Sequence, residues 1–468
     1  MRLALAGTGS LAQDLLLAVQ QTENVEVTAI YHHSPDPDAA NKLAESYGIQ
    51  EVYDDYSRMV RLAKADFVYI ALVNDAHFEY AKEALEHGLN VIVEKPMCPT
   101  AKEVRLLADL AWEKELFLFE AVTTLHTQNY RSLRDMVKQL GSIRMVLCNF
   151  SQRSSRYDRY WSGLVAPAFA PEHYGGALHD INVYNINFVV DLFGAPDDVG
   201  YYANLGYNGI DLSGTVILQY PYFHAVCTGA KDSTSPGYLI VQGDKGYVKL
   251  DGNPNSAPKL EMNISGRSGV FRLNRYEHRM IHELLDFDQT WRQRNLTRAK
   301  YWLETSIAVA DTVERAAASA GLVYGVQNDA FPEEEPEMVS DTVQLRADDM
   351  DAEAGWSQDT GTTSGKAEGS DGKDTVSGWA DDRGAASGKS GDGASQVGFG
   401  ADGDGDDRMG AGHGNYDSPA VDDFEDEVTD EEDYQDIERL PLADGYSDID
   451  VDSGTNDFMD LQDIPDYP

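Results

Sequence analysis

Cysteine is almost missing from this 468-residue chain, where Cys98, Cys148 and Cys227 are the only three. An odd number of scattered thiols cannot build a disulfide framework, so a reducing interior, the cytoplasm, is expected. Long apolar runs are missing too. None reaches the roughly 18 residues that a bilayer-spanning helix needs, and no membrane association is expected. Met1–Ala6 superficially resembles the start of a signal peptide, but its apolar run stops at Gly7 and reads as a first strand. Positive charge is scarce: 37 Lys+Arg face 80 Asp+Glu, a net charge of −43. A chain this acidic repels phosphate backbones, which excludes nucleic acid as a partner.

The acid is unevenly spread. From Phe331 to the end, 40 Asp+Glu meet only 7 Lys+Arg, and 19 of the 41 glycines fall there. Residues 1–330 carry 40 acidic and 30 basic side chains, an ordinary globular balance. Residues 331–468 cannot bury enough apolar surface to offset chain entropy, so they read as an acidic, Gly-rich disordered tail. Asp402, Asp404 and Asp406, like Asp448, Asp450 and Asp452, mimic the opening of a calcium loop. The closing Glu is replaced by His413 and Met459, so no metal site is expected. The end, Leu440 to Pro468, is a candidate docking segment for a partner that the sequence does not identify.

Within the body, short apolar runs alternate with helical stretches up to about residue 122. They run from the strand at residues 2–6 to a strand at Leu116–Glu120, which predicts a parallel sheet with crossover helices. Beyond Gly141 the pattern becomes strand after strand (143–151, 199–205, 212–219, 222–230, 238–243 and 246–250). Two helical stretches, Gly176–Leu192 and Arg275–Ala320, interrupt and close that series. The expected architecture is α/β: an N-terminal domain of the doubly wound, Rossmann type over residues 1–122, then an α+β domain over 123–330. The second domain has a largely antiparallel sheet with one open face.

Three signals carry chemistry. Gly7-x-Gly9-x-x-Ala12 stands between the first strand and the first helix. Gly7 permits a tight turn, Gly9 lets backbone approach a pyrophosphate, and the helix N-terminus offers N–H groups to the phosphates. The carboxylate that reads a ribose 2′-OH is due at the end of the second strand, where His32, His33 and Ser34 stand instead. His and Ser accept a 2′-phosphate, which leans the cofactor, NAD(P), toward NADP. Second, Glu94-Lys95-Pro96 ends a parallel strand, where open α/β sheets place their ligands, and a lysine there is poised to move a proton. Third, Asp180 and Tyr184 lie four residues apart in an otherwise apolar helical stretch and are expected on one face.

Together with Asn74-x-x-His77, Glu120-Ala121 and Gly175-Gly176-Ala177-Leu178-x-Asp180, these residues resemble the glucose–fructose oxidoreductase/inositol dehydrogenase (Gfo/Idh/MocA) family over residues 1–330. The resemblance implies an NAD(P)-dependent oxidoreductase acting on CH–OH groups of a sugar, polyol or cyclic diol. By position it makes Lys95, Asp180 and Tyr184 catalytic, with Tyr184 where many members have His. It maps the cofactor contacts to Gly7, Thr8, Gly9, Ser10 and Leu11 on the first turn, and to Asn74, His77, Glu94 and Lys95 beyond it. Val73 stands where Pro is expected before Asn74. A homodimer or homotetramer formed through the open sheet face is also implied. A lysine desolvated beside the cofactor and tuned by Asp180 is expected near neutral pKa. Two rival readings share this fold: an NAD-dependent glycosidase, and a non-catalytic cofactor-binding regulator whose tail recruits a partner.

Overall fold

A computed structural model describes residues 1–33 and 37–326. The acidic tail, the calcium-loop mimics and Ser34 lie outside the described residues. In the first half β1 (Arg2–Ala6), α1 (Ser10–Val19), β2 (Glu26–Tyr31), α2 (Asp38–Tyr47), β3 (Glu51–Tyr53), α3 (Tyr56–Leu62) and β4 (Phe67–Ile70) follow in order. Then come α4 (His77–Glu86), β5 (Asn90–Glu94), α5 (Ala101–Glu113) and β6 (Leu118–Ala121). These strands form one parallel sheet in the order β3-β2-β1-β4-β5-β6. The order reverses between β1 and β4, and the crevice at that switch point is where such sheets bind ligands.

Local chemistry sets these boundaries. Thr100 caps α5 and forms a reciprocal capping box with Glu103. Gly48 ends α2 in the left-handed conformation at φ 69°. Gly7 sits at φ 121°, and a Cβ there would stand 2.3 Å from the Ala71 carbonyl oxygen, so only glycine fits.

Next come two helices, α6 (Thr123–His126) and α7 (Gln128–Val137), then β7 (Ile143–Ser151), α8 (Tyr157–Trp161) and α9 (Val183–Phe193). The strands β8 (Asp198–Leu205), β9 (Asp211–Gln219), β10 (His224–Ala230), β11 (Ser235–Gly243), β12 (Gly246–Asp251), β13 (Lys259–Ile264) and β14 (Arg267–Phe271) follow. The eight strands run β14-β13-β12-β11-β7-β10-β9-β8, antiparallel except for β7 beside β10. Burial alternates along β8, β10 and β11, as expected for a sheet with one covered face. Met145, Tyr202, Tyr247 and Val270 are exposed.

Last, α10 (Arg279–Arg292) and α11 (Leu296–Ser319) return to the first sheet. Phe287 of α10 stacks on Phe119 of β6 with centroids 4.6 Å apart, and Met280, Ile281 and Leu284 join the same core. Each such fully buried side chain contributes about 1.5–3 kcal/mol. The structure differs from the pattern in four places. The stretch expected as one helix over 275–320 is two, parted at Gln293–Asn295, where Arg294 takes φ 51°. The short β3 and α3, and the hairpin β13–β14, were not expected. The helical stretch from Gly176 is not α-helical throughout: it widens into a π-helical turn over Leu178–Asn182 before α9.

Candidate active site

At the C-terminal edge of the parallel sheet, β1 runs into Gly7, Thr8 and Gly9, and α1 begins at Ser10. Gly9 is the N-cap and has no side chain to accept from the first helical turn. A Cβ on it would meet nothing within 4 Å. The open space and the uncapped N–H groups of Ser10 and Leu11 form a cradle that fits the pyrophosphate of a nicotinamide dinucleotide. Beyond β2, His32 is buried, while His33 is exposed with its Nδ1 3.1 Å from the Tyr31 hydroxyl.

Two strands along, β5 delivers Glu94 and Lys95. Lys95 Nζ donates to the Asp180 backbone carbonyl at 2.8 Å and to Asp180 Oδ1 at 2.9 Å. It also lies 5.1 Å from the centre of the Tyr184 ring. The three residues expected to be catalytic therefore meet, but not by the expected geometry. The π-helical turn carrying Asp180 widens the helix, a feature that recurs at functional sites, and turns both the carbonyl and the carboxylate of Asp180 onto the lysine. Two contacts anchor that turn. Asp211 accepts from the Leu178 amide at 2.6 Å, and Asn182 Nδ2 donates to the Cys227 carbonyl at 2.9 Å. Burial pushes the Asp211 carboxyl up to about 6.

The other oxygen of Asp180 is held by Lys231, 2.7 Å from Oδ2. Burial works against ionising Asp180, but Lys231 and Lys95 together hold it well below the ordinary carboxylate range. The side chain is 36% accessible, so solvent screens part of that attraction. Burial also works against the charged form of Lys95. Asp180, Tyr184 and Glu94 outweigh it and raise the lysine above its ordinary value. This corrects the expectation of a near-neutral lysine: in the free protein Lys95 is an ammonium. Burial raises Tyr184, so its hydroxyl keeps its proton near neutral pH.

Among the remaining expected residues, Glu94 is buried, accepts from the Tyr69 hydroxyl at 2.7 Å, and is raised by burial. His77 lies beneath the turn, its Nδ1 2.9 Å from the Pro96 carbonyl and its Nε2 3.1 Å from that of Leu72. It braces Lys95–Pro96 from below. Asn74 Nδ2 donates at 2.8 Å to the Tyr174 carbonyl, tying the loop after β4 to the loop before the π turn.

The sequence reading missed two cations. Lys231 follows β10 and is 2% exposed. Arg279 opens α10 and hydrogen-bonds Asp14 of α1, one turn from the glycine cradle. Burial works against its charge, but Tyr184, Asp14, Glu94 and Glu283 raise it further. Glu283 is fully buried with both carboxyl oxygens unpartnered, and burial and Glu94 raise it well above the ordinary range. The sequence offers only weak signs of these groups: Lys231 stands at a strand end beside Asp232, and Glu283 stands amid Met280, Ile281 and Leu284.

Comparison with known proteins gives four findings. Residues 1–122 match the family model "Oxidoreductase family, NAD-binding Rossmann fold", and residues 130–249 match "GFO/IDH/MocA C-terminal domain". The chain is 31% identical over 325 residues to the scyllo-inositol 2-dehydrogenase (NADP(+)) IolU of Bacillus subtilis, covering 69% of this chain and 98% of that protein. It is 24% identical over 264 residues to the trans-1,2-dihydrobenzene-1,2-diol dehydrogenase of Xenopus tropicalis, covering 55% of this chain and 78% of that one. Among solved structures, the 3-ketoreductase KijD10 of Actinomadura kijaniata shares the fold. Its TM-score is 0.58 at 22% identity, over 68% of this chain and 97% of that one.

Proposed function

The chain belongs to the GFO/IDH/MocA family of NAD(P)-dependent oxidoreductases acting on CH–OH groups, and on that premise we propose that Lys95 moves the proton in the reaction, assisted by Asp180 and Tyr184. The observation that carries this reading is the Lys95 ammonium, bound to Asp180 at 2.8 and 2.9 Å and set at the end of β5, two strands from the glycine cradle. Strand spacing puts the ends of β1 and β5 roughly 10 Å apart, within the span of a bound dinucleotide.

The substrate class is a sugar, polyol or cyclic diol. When bound, the nicotinamide dinucleotide supplies or accepts the hydride. In reduction, Lys95 delivers its proton to the forming alkoxide; in oxidation, its free amine takes the hydroxyl proton. Asp180 stays ionised in both directions and holds the lysine. Tyr184, protonated and buried, donates a hydrogen bond to the reacting oxygen. Gly7, Thr8, Gly9, Ser10 and Leu11 would hold the phosphates, while Glu94 stays buried against the Tyr69 hydroxyl beside Lys95. The absence of a carboxylate at His32–His33 favours NADP over NAD, as does the NADP(+) in the name of the Bacillus subtilis relative.

The exposed Met145, Tyr202, Tyr247 and Val270 on the second sheet support a homodimer or homotetramer through that face. The free, buried Cys98, Cys148 and Cys227 support a cytoplasmic location. The test is a panel of polyols, sugars and diols run with both cofactors. Reduced cofactor should accumulate with wild type and not with Lys95→Met. Equal rates for the two would remove Lys95 from the mechanism, and release of free sugar without net cofactor reduction would favour a glycosidase.

A further inference from the structure

Lys231 is almost as deeply buried as a side chain can be, yet none of its contacts explains it as packing alone. Its Nζ lies 2.7 Å from Asp180 Oδ2, donates at 2.5 Å to the Ala168 carbonyl, and sits 4.4 Å from the centre of the Phe169 ring. At 2% exposure it is withdrawn from solvent. Lys95 holds the opposite oxygen of the same carboxylate. One carboxylate thus serves two ammonium groups, and the cluster carries one positive charge more than a simple ion pair.

We propose that Lys231 is a positioning residue that divides the charge of Asp180 between two lysines, making Lys95 easier to deprotonate, and that it ties the single 3-10 turn Pro167–Phe169 to the carboxylate. This assignment rests on the reading of Lys95 as the proton-transfer group.

A lone Lys95–Asp180 pair would hold its proton very tightly, which suits reduction and blocks oxidation. A second cation on the far oxygen cancels part of that attraction. The other charged or titratable groups facing Lys95 are Glu94 on its own strand, Tyr184 on α9, His77 on α4 and Glu120 on β6. Arg279 on α10 faces Tyr184 and Glu94. Glu94 and Tyr184 strengthen the hold on the proton. His77 is buried and its pKa lowered, so it is neutral at working pH and adds no charge. That leaves Lys231 as the cation placed directly on the lysine's own counter-ion. A second unit charge on the far oxygen of that carboxylate, at the effective dielectric of such sites, lowers the proton affinity of Lys95 by roughly one to two pH units.

The test uses the full chain without cofactor, so it does not depend on turnover. Lys95 is acetylated with limiting acetic anhydride at about pH 9, and its labelling is quantified by mass spectrometry against exposed lysines of the same chain. Lys231→Met should cut relative Lys95 labelling roughly tenfold to hundredfold, because the free-amine fraction falls by that factor. Lys231→Gln, which removes the charge but keeps a polar group against Ala168, should do the same and covers a failure of the Met variant to fold. Lys231→Arg should label like wild type. With turnover measured in parallel, both neutral variants should shift the alkaline limb of the oxidation profile upward while reduction is less affected. Unchanged or faster Lys95 labelling in a folded neutral variant would overturn the inference. Absence of turnover in wild type would count against the proposed reaction and leave the labelling comparison standing.

Discussion

Gly9→Ala separates a nucleotide cradle from a mere packing turn. The backbone at Gly9 has φ −69° and ψ −176°, a conformation open to any residue, and no atom lies within 4 Å of the new methyl. Replacing glycine stiffens the unfolded chain and stabilises by about 0.4–1 kcal/mol. Alanine is the poorer N-cap by a comparable amount, about 0.5–1 kcal/mol. The two offset, so the melting temperature should move by no more than about 3 °C. The methyl does, however, fill the space through which a phosphate would reach the Ser10 and Leu11 amides on the proposed reading. Losing one or two charge-assisted hydrogen bonds, at about 1.5–3 kcal/mol each, raises the dissociation constant by roughly tenfold to more than a hundredfold.

Fluorescence titration with NADPH and NADH, alongside thermal unfolding, reads both quantities on one preparation. Gly7→Ala is the contrast. At φ 121°, with the Ala71 oxygen 2.3 Å from its Cβ, it should cost about 2–4 kcal/mol of stability. Wild-type affinity for both reduced cofactors in a folded Gly9→Ala variant would refute the cradle.

Three further outcomes are expected. Lys95→Met should lower turnover by roughly 100-fold to 10,000-fold in single-turnover assays while cofactor titration stays close to wild type. Tyr184→Phe should keep the fold, since the ring stays packed 5.7 Å from Phe150, and lower turnover about tenfold or more with little change in cofactor affinity. Glu283 is protonated in the folded protein over a pH range in which the unfolded chain has lost that proton. Its contribution is therefore full below the ordinary Glu value of about 4.3 and is lost as pH rises toward the raised value. Glu283→Gln should accordingly gain stability over wild type by urea denaturation at about pH 8 and show little difference at about pH 4.

The parallel sheet was legible because its strands are buried on both faces and read as continuous apolar runs, as in Phe67–Ile70 and Asn90–Glu94. The turn at Gly7 and Gly9 was legible because backbone sterics demand glycine. The meeting of Lys95 with Asp180 and Tyr184 was expected only through the family resemblance, since 85 residues separate the lysine from the acid. The π turn at Leu178–Asn182 leaves no mark on hydrophobic periodicity, because Asn182 and Asn185 satisfy β10 carbonyls from inside an apolar stretch. Lys231, Arg279 and Glu283 were invisible for another reason: a charged residue in sequence is far more often solvated than buried, and only the three-dimensional packing tells the two apart. The proton affinity of Lys95 differs from the expectation because the attraction of Asp180, Tyr184 and Glu94 outweighs desolvation, where desolvation was expected to win.

Deuterium tracing tests the central claim most directly. Polyols, sugars and diols carrying deuterium at the carbinol carbon are incubated with the full chain and oxidised NADP or NAD, and the reduced cofactor is analysed by mass spectrometry. The account predicts deuterium in the reduced nicotinamide with wild type and its near-complete loss with Lys95→Met. Substrate consumed without label reaching the cofactor, or label transferred at the wild-type rate without Lys95, would contradict it.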